Sequence, residues 1–306
     1  MTQQGYWRNY AQENRRAVLQ DYGIINNVFY LFPQGGGPRG SFTTFTDLKP
    51  NLRSRDLILL SGVLREQAVA PDGVFDVSII GAANQPRQAT SGGTPTSGGA
   101  CWLAPSSGAV SATPLLELTR QGWMFENIEF TPHTSSAAVR LTRSATVDLT
   151  DAGHAKFVNC YFAANGGTGQ IGIEDNGGCR SVVVEDCRFE GLTGTAILSL
   201  NTAAAVPLDW LIQRNKFFQN TNDVKMSLSY ARIMLNQFLT AGSGATNKVI
   251  STTFISAQGG NNFVIDNQFN NTEAQIAPGS GYTGAASDVW RNFVTDGTWY
   301  AIGQPA

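Results

Sequence analysis

Five acidic residues lie close together near the middle of this chain: Glu174, Asp175, Glu185, Asp186 and Glu190. Arg180, Arg188, Arg214 and Lys216 are near them in sequence. Carboxyl groups held about 5 to 10 Å apart can cleave a glycosidic bond, one as acid and the other as base or nucleophile. If the chain is an enzyme, its catalytic residues are expected among Glu174, Asp175, Glu185, Asp186 and Arg188. The competing reading is structural. Asp186 and Arg214 would form a surface ion pair, which is worth little. Glu129, Arg188 and Lys216 would form a solvated ladder of mixed charge.

Other chemistries are excluded more firmly. Cys101, Cys160, Cys179 and Cys187 include no C-x-x-C pair, and the only histidines are His133 and His154. Zinc ligands come as clusters at short spacing, so no metal is expected. Four cysteines in 306 residues are too few for a disulfide scaffold. Gly167, Gly169 and Gly172 match G-x-G-x-x-G by letter. They run into IEDNGG rather than a helix, which removes the physics of a dinucleotide site. No phosphate-binding G-x-x-x-x-G-K-[ST] and no nucleophile elbow G-x-S-x-G occurs, so no cofactor is expected.

Composition narrows the class further. The 21 basic and 23 acidic residues make 14% of the chain, against about a quarter in an ordinary soluble domain. Glycine contributes 33 residues, above the usual share of about 7%. A net charge of -2 gives no electrostatic reason to expect nucleic acid. No apolar run approaches the roughly 18 residues of a membrane span. Met1 to Asn9 lacks the apolar core of a secretory signal. The balance indicates β structure with many turns.

The elements that would position these residues repeat. WMFENIEF (123–130), AKFVNCYF (155–162), VVVEDCRF (182–189), WLIQRNKF (210–217), ARIMLNQF (231–238) and NFVIDNQF (262–269) align on their last residue. That column reads Phe130, Phe162, Phe189, Phe217, Phe238 and Phe269, at intervals of 32, 27, 28, 21 and 31 residues. Five positions earlier every residue is apolar. Two positions earlier stand Ile128, Cys160, Cys187, Asn215, Asn236 and Asn267, and a weaker seventh copy adds Asn292.

Each copy alternates, breaks, and alternates again, as two half-buried strands joined by a bend would. One such turn cannot bury its own apolar face, so successive turns stack over a continuous core. The spacing is too short for propeller blades of about 40 residues and fits a parallel β-helix. The phenylalanines are expected inside. The asparagines are expected at the bend, pointing inward and pairing amide to amide up the stack. Cys160 and Cys187 share that column on neighbouring turns. A disulfide between them is sterically conceivable, and buried free thiols are the expectation.

Upstream, DLILLSGVLREQ (56–67) and VFDVSIIGA (74–82) resemble the opening turns of pectin-lyase-like right-handed parallel β-helices. The resemblance spans about residues 45 to 295 and implies an all-β solenoid. It also implies that FTDLKPNLR (45–53) belongs to a capping helix. The superfold hosts lyases, hydrolases, adhesins and viral spikes, so it does not specify function. Its lyases use aspartates to hold calcium against a uronic acid, with a basic side chain taking a proton. Its polygalacturonases carry paired aspartates and a Gly-His-Gly element. This sequence has no convincing calcium-binding set, and neither histidine has glycine on both sides.

The ends differ from the middle. Residues 1–40 are aromatic and partly helical in pattern, and are expected to anchor or cap. Tyr6, Trp7, Tyr10, Phe29, Tyr30 and Phe32 are the candidate partner contacts. Residues 41–306 are expected to hold the β-helix and its closing segment. RQATSGGTPTSGGACWLAPSSGAVSATP (87–114) reads as one long excursion.

NNTEAQIAPGSGYTGAASDVWRNFVTDGTWYAIGQPA (270–306) resembles the closing segment of bacteriophage β-helix proteins. That resemblance implies a homotrimer on a virion, made without a signal peptide. It would act in particle decoration or host-glycan attachment and contact other virion proteins through residues 1–40. A tailspike-type polysaccharide depolymerase is the alternative.

Overall fold

The computed structural model describes residues 25–82, 99–108, 111–143, 151–199, 207–226, 230–239, 250–252, 262–269, 289–290, 292–294 and 299–300. Three sheets run the length of the molecule. The first has ten parallel strands, from Val28–Leu31 and Leu57–Leu60 to Phe263–Ile265 and Val289–Trp290. The second runs in parallel from Gly62–Arg65 and Ala100–Leu103 to Asn292–Val294, and an antiparallel strand, Trp299–Tyr300, closes it. The third has seven parallel strands, from Ala68–Val69 to Ile250–Thr252. Successive turns visit the sheets in that order. The chain is therefore a parallel β-helix, wound right-handed as parallel crossovers are.

The repeat explains the interior. Phe130, Phe162, Phe189, Phe217, Phe238 and Phe269 are fully buried on the second sheet. Their rings stack face to face, with centroids 4.7 Å apart between Phe162 and Phe189 and 4.8 Å between Phe217 and Phe238. That distance is the strand spacing itself, so each ring lies over the one below. Trp102 heads the column, stacked 6.4 Å from Phe130. On the first sheet Phe125 and Phe157 stack at 5.2 Å, and Val184, Ile212, Ile233 and Val264 continue their column.

The bend between first and second sheets has two parts. Asn127, Asn159, Asp186, Arg214, Leu235 and Asp266 all have left-handed φ values between 49° and 58°. One such residue turns the chain between the strands and produces the break in alternation. The next residue points inward. There Asn215 donates its backbone N–H to Asn236 Oδ1 at 2.9 Å and its Nδ2 to the same oxygen at 3.1 Å. Asn236 repeats this with Asn267, and Asn267 with Asn292. Each Nδ2 also donates to a main-chain carbonyl one turn back, as Asn236 does to Ile212 at 2.9 Å. Buried amides are costly unless bonded, and this ladder bonds them. Below it Cys160 and Cys187 are buried free thiols.

A second left-handed column, absent from the sequence reading, lies before the first sheet: Asp76, Gly122, His154, Ser181, Asp209 and Tyr230. It flips the chain so that the next residue, such as Trp123, Val182 or Trp210, points into the core.

At the start of the solenoid, Thr44 caps a one-turn helix, Phe45–Leu48, by accepting the N–H of Asp47. Phe45 packs 5.4 Å from Trp102, and Leu48 is fully buried. Val28–Leu31 pairs in parallel with Leu57–Leu60, so this strand-like part of residues 1–40 adds a strand over the end of the first sheet. One expectation needs correction. Residues 87–114 are not one excursion. Ala100–Leu103 is a second-sheet strand whose four residues are all buried, because an apolar Cys-Trp-Leu run cannot stay in a solvated loop. Tyr6, Trp7 and Tyr10, and the helical pattern around them, fall outside the described residues.

Candidate functional site

The five residues with catalytic potential do not converge, because they stand on three different sheets. Glu174 lies on the outer face of the third sheet, where Arg140 Nε approaches it at 2.7 Å. Asp175, the next residue along the strand, must point the other way. It faces inward in line with Leu141, Ser199 and Met226 and is 2% exposed. Its placement in an outward acidic cluster is therefore corrected. Asp175 accepts the N–H of Cys179 and the hydroxyl of Ser199, each at 2.8 Å. Burial pushes its carboxyl up to about 6, against the pull of those donors. A carboxyl at that value has the acidity of a general acid, but this one is sealed in the core.

Glu185 lies on the outer face of the first sheet. Lys156 Nζ reaches it at 2.8 Å, Gln213 Nε2 at 2.9 Å and Arg214 Nη2 at 3.0 Å. The hydrogen bond from Lys156 holds its carboxyl below the usual range, outweighing partial burial. It is a fixed anion rather than a proton donor. Asp186 occupies the bend and takes Arg214 Nε at 2.8 Å and Nη2 at 3.0 Å. This network is the ion pair expected from sequence, with Lys156 and Gln213 added.

Arg188 belongs to a different group, on the outer face of the second sheet. Its guanidinium donates to Glu190 at 2.7 Å and lies 5.6 Å from the centre of the Tyr161 ring. The Tyr161 hydroxyl donates to the same Glu190 oxygen at 2.7 Å. Burial, then Glu190, pushes the phenol well above its ordinary range, so it stays a donor. One turn below Tyr161 stands Glu129, only 1% exposed, with the Cys101 thiol 3.6 Å from its carboxylate. Glu129 is therefore not part of a solvated ladder with Arg188 and Lys216. Alternation says which way a side chain points and not what lies over it.

The Tyr161–Arg188–Glu190 group places a phenol, a guanidinium and a carboxylate on one face of the second sheet, with Tyr161 itself buried. Its carboxylate is already bonded twice, which suits a rigid polar surface better than proton transfer. Among the described residues no group of three or more His, Cys, Asp or Glu side chains could hold a metal ion. No described helix is long and apolar enough to cross a membrane. Phe29 points inward at the end of the core, edge-on to Phe42 at 6.0 Å, so its ring serves the fold. Tyr30 and Phe32 remain partly exposed, with their rings 6.3 Å apart.

No protein family and no curated protein matches the sequence. Solved structures do. Escherichia coli YbhC superposes with a TM-score of 0.53 at 11% identity, covering 83% of this chain and 74% of that one. At that identity the likeness concerns the fold alone, the parallel β-helix that the three sheets form. Pectate lyase Pel9A gives a TM-score of 0.45 at 12% identity, covering 92% of this chain and 79% of the other. Dettilon tailspike protein gives 0.22 at 10%, covering 87% and 68%.

Proposed function

We propose that this chain is a non-enzymatic structural β-helix of a bacteriophage particle, a homotrimer that decorates the surface or attaches to host glycan. One observation supports the scaffold reading above the others. Glu174, Glu185, Asp186 and Glu190, the outward acids that could have worked as a pair, are each bonded to a cation or donor on their own face. The phage setting rests on the resemblance of residues 270–306. The anchoring role is proposed for residues 1–40, within which Val28–Leu31 also pairs with the solenoid.

The test is incubation of the full chain with capsular and uronic-acid polysaccharides, followed by co-sedimentation and assay for reducing or unsaturated ends. Binding without new ends, or incorporation into particles without binding, fits the proposal. New ends that vanish in Glu190→Gln would overturn it. They would establish the second reading, a depolymerase, which the grouping of Tyr161, Arg188 and Glu190 on one face favours.

A further inference from the structure

We propose that the outer face of the first sheet is the surface through which copies of this chain associate. The inference rests on the homo-oligomer reading above and names the face responsible.

The three outer faces differ in kind. The third sheet presents a mostly polar column, Glu117, Arg140, Glu174 and Lys225, with apolar Val69 at its start and Leu198 within it. The early part of the second sheet is already covered, with Cys101, Glu129 and Tyr161 all at 4% exposure or less. The first sheet is both apolar and open. Leu59, Ile80, Val183, Leu211 and Met234 point outward and are partly exposed, and Phe263 is 44% exposed. Outward alternation on a solvated sheet would ordinarily place polar residues there.

The borders of this face agree. Tyr230 and Leu235 flank one of its strands, both in left-handed conformations at φ 57° and 58°. Bulky residues are uncommon in that region, and such outliers concentrate at functional positions. Both side chains project into solvent, at 53% and 47% exposure. The conformation and the exposure are each unfavourable for a large side chain in an isolated chain.

Size and charge indicate the partner. Ten strands at about 4.8 Å spacing give a face about 40 Å tall, and the six residues from bend to bend make it about 17 Å wide. The product, about 700 Å², is close to the roughly 800 Å² that each partner contributes to a standard interface. The charged outward residues on these strands are Glu126, Lys156, Glu185 and Arg232, two of each sign, so an identical surface is not repelled. Apolar side chains recur along both outward columns at multiples of the strand spacing, with Lys156, Glu185, Gln213 and Arg232 between them. A partner must repeat at the same interval to fill every row, and a second copy does so by construction.

The test uses the full chain. Light scattering across the micromolar range gives the mass of the wild type, of Val183→Glu/Leu211→Glu on the first sheet, and of Lys225→Glu on the third. An oligomer that the double substitution alone converts to a folded monomer supports the proposal. An oligomer untouched by the double substitution overturns the face and leaves the homo-oligomer reading standing. A wild type that stays monomeric overturns both.

Should the double variant fail to fold, thiol labelling of single cysteines decides. All four natural cysteines are buried. Met234→Cys in the oligomer should react about tenfold more slowly than Lys225→Cys, because access controls thiol reactivity. Equal rates would overturn the proposal.

Discussion

The early and late turns of the solenoid fill one inward slot in different ways. At the bend between first and second sheets, the early turns place Ile128, Cys160 and Cys187, and the late turns place Asn215, Asn236, Asn267 and Asn292. In the late turns each amide oxygen receives a backbone N–H at 2.8 to 3.0 Å, that of Asn215 from Cys187. In the early turns the N–H of Cys160 finds only the Cys187 sulfur, at 3.4 Å. The filling beside the slot changes one turn earlier, at Val184. Phe125 and Phe157 occupy the neighbouring column early, and Val184, Ile212, Ile233 and Val264 occupy it late. The early core is held by aromatic volume. The late core has smaller side chains and gains directional hydrogen bonds. One backbone path thus accepts either solution, provided the polar groups are satisfied.

The largest expected effect should be blind to this difference, since the phenylalanine column runs through both halves. Phe162→Ala and Phe217→Ala should each lower stability by about 3–5 kcal/mol in denaturant titrations. A loss confined to one half would mean that the two halves do not share a continuous core.

Next comes Asp175, an inward polar residue in the early half that belongs to no ladder. Its folded-state value, about 6, lies above the ordinary 3.8. Folding therefore favours the protonated form. That contribution is full below about pH 3.8 and is lost as pH rises through about 6. Wild type should gain about 3 kcal/mol relative to Asp175→Asn between neutral pH and pH 4. Parallel pH profiles for the two proteins would show that Asp175 is not buried as described.

Paired truncations in the slot separate the two halves. Asn236→Ala strands the backbone and side-chain N–H groups of Asn215, at about 1–3 kcal/mol for a buried unsatisfied group. Cys187→Ala removes a weak sulfur contact and should have the smaller effect. Equal losses on thermal or chemical unfolding would remove the distinction between the halves. The smallest effect is outside. Asp186→Asn should change stability by less than about 1 kcal/mol, because its pair with Arg214 is half exposed.

Much of this was legible in the residues. The phenylalanine column, the inward amides and the bend all follow from alternation with a one-residue break, which is a local signal. The bend before the first sheet was missed, because its left-handed positions are filled by residues as unlike as Gly122, His154 and Tyr230. The third sheet was barely visible, since loops of variable length detach its strands from the repeat. In the sequence Asp175 therefore looks like one of its outward neighbours. The charged cluster was read as one site because its members are close in sequence. A solenoid turn sends such neighbours to different faces.

By itself, then, the sequence determined a stacked all-β solenoid, its buried aromatic column and its amide ladder. These depend on side-chain period and repeat spacing, which a linear chain carries in full. Only the tertiary structure decided which acids share a face, that Asp175 is sealed inside, that Glu129 and Tyr161 are covered, and that the first sheet presents an open apolar surface. Those facts depend on which strands become neighbours and what lies over them, and contacts between residues tens of positions apart leave no periodic trace in the chain.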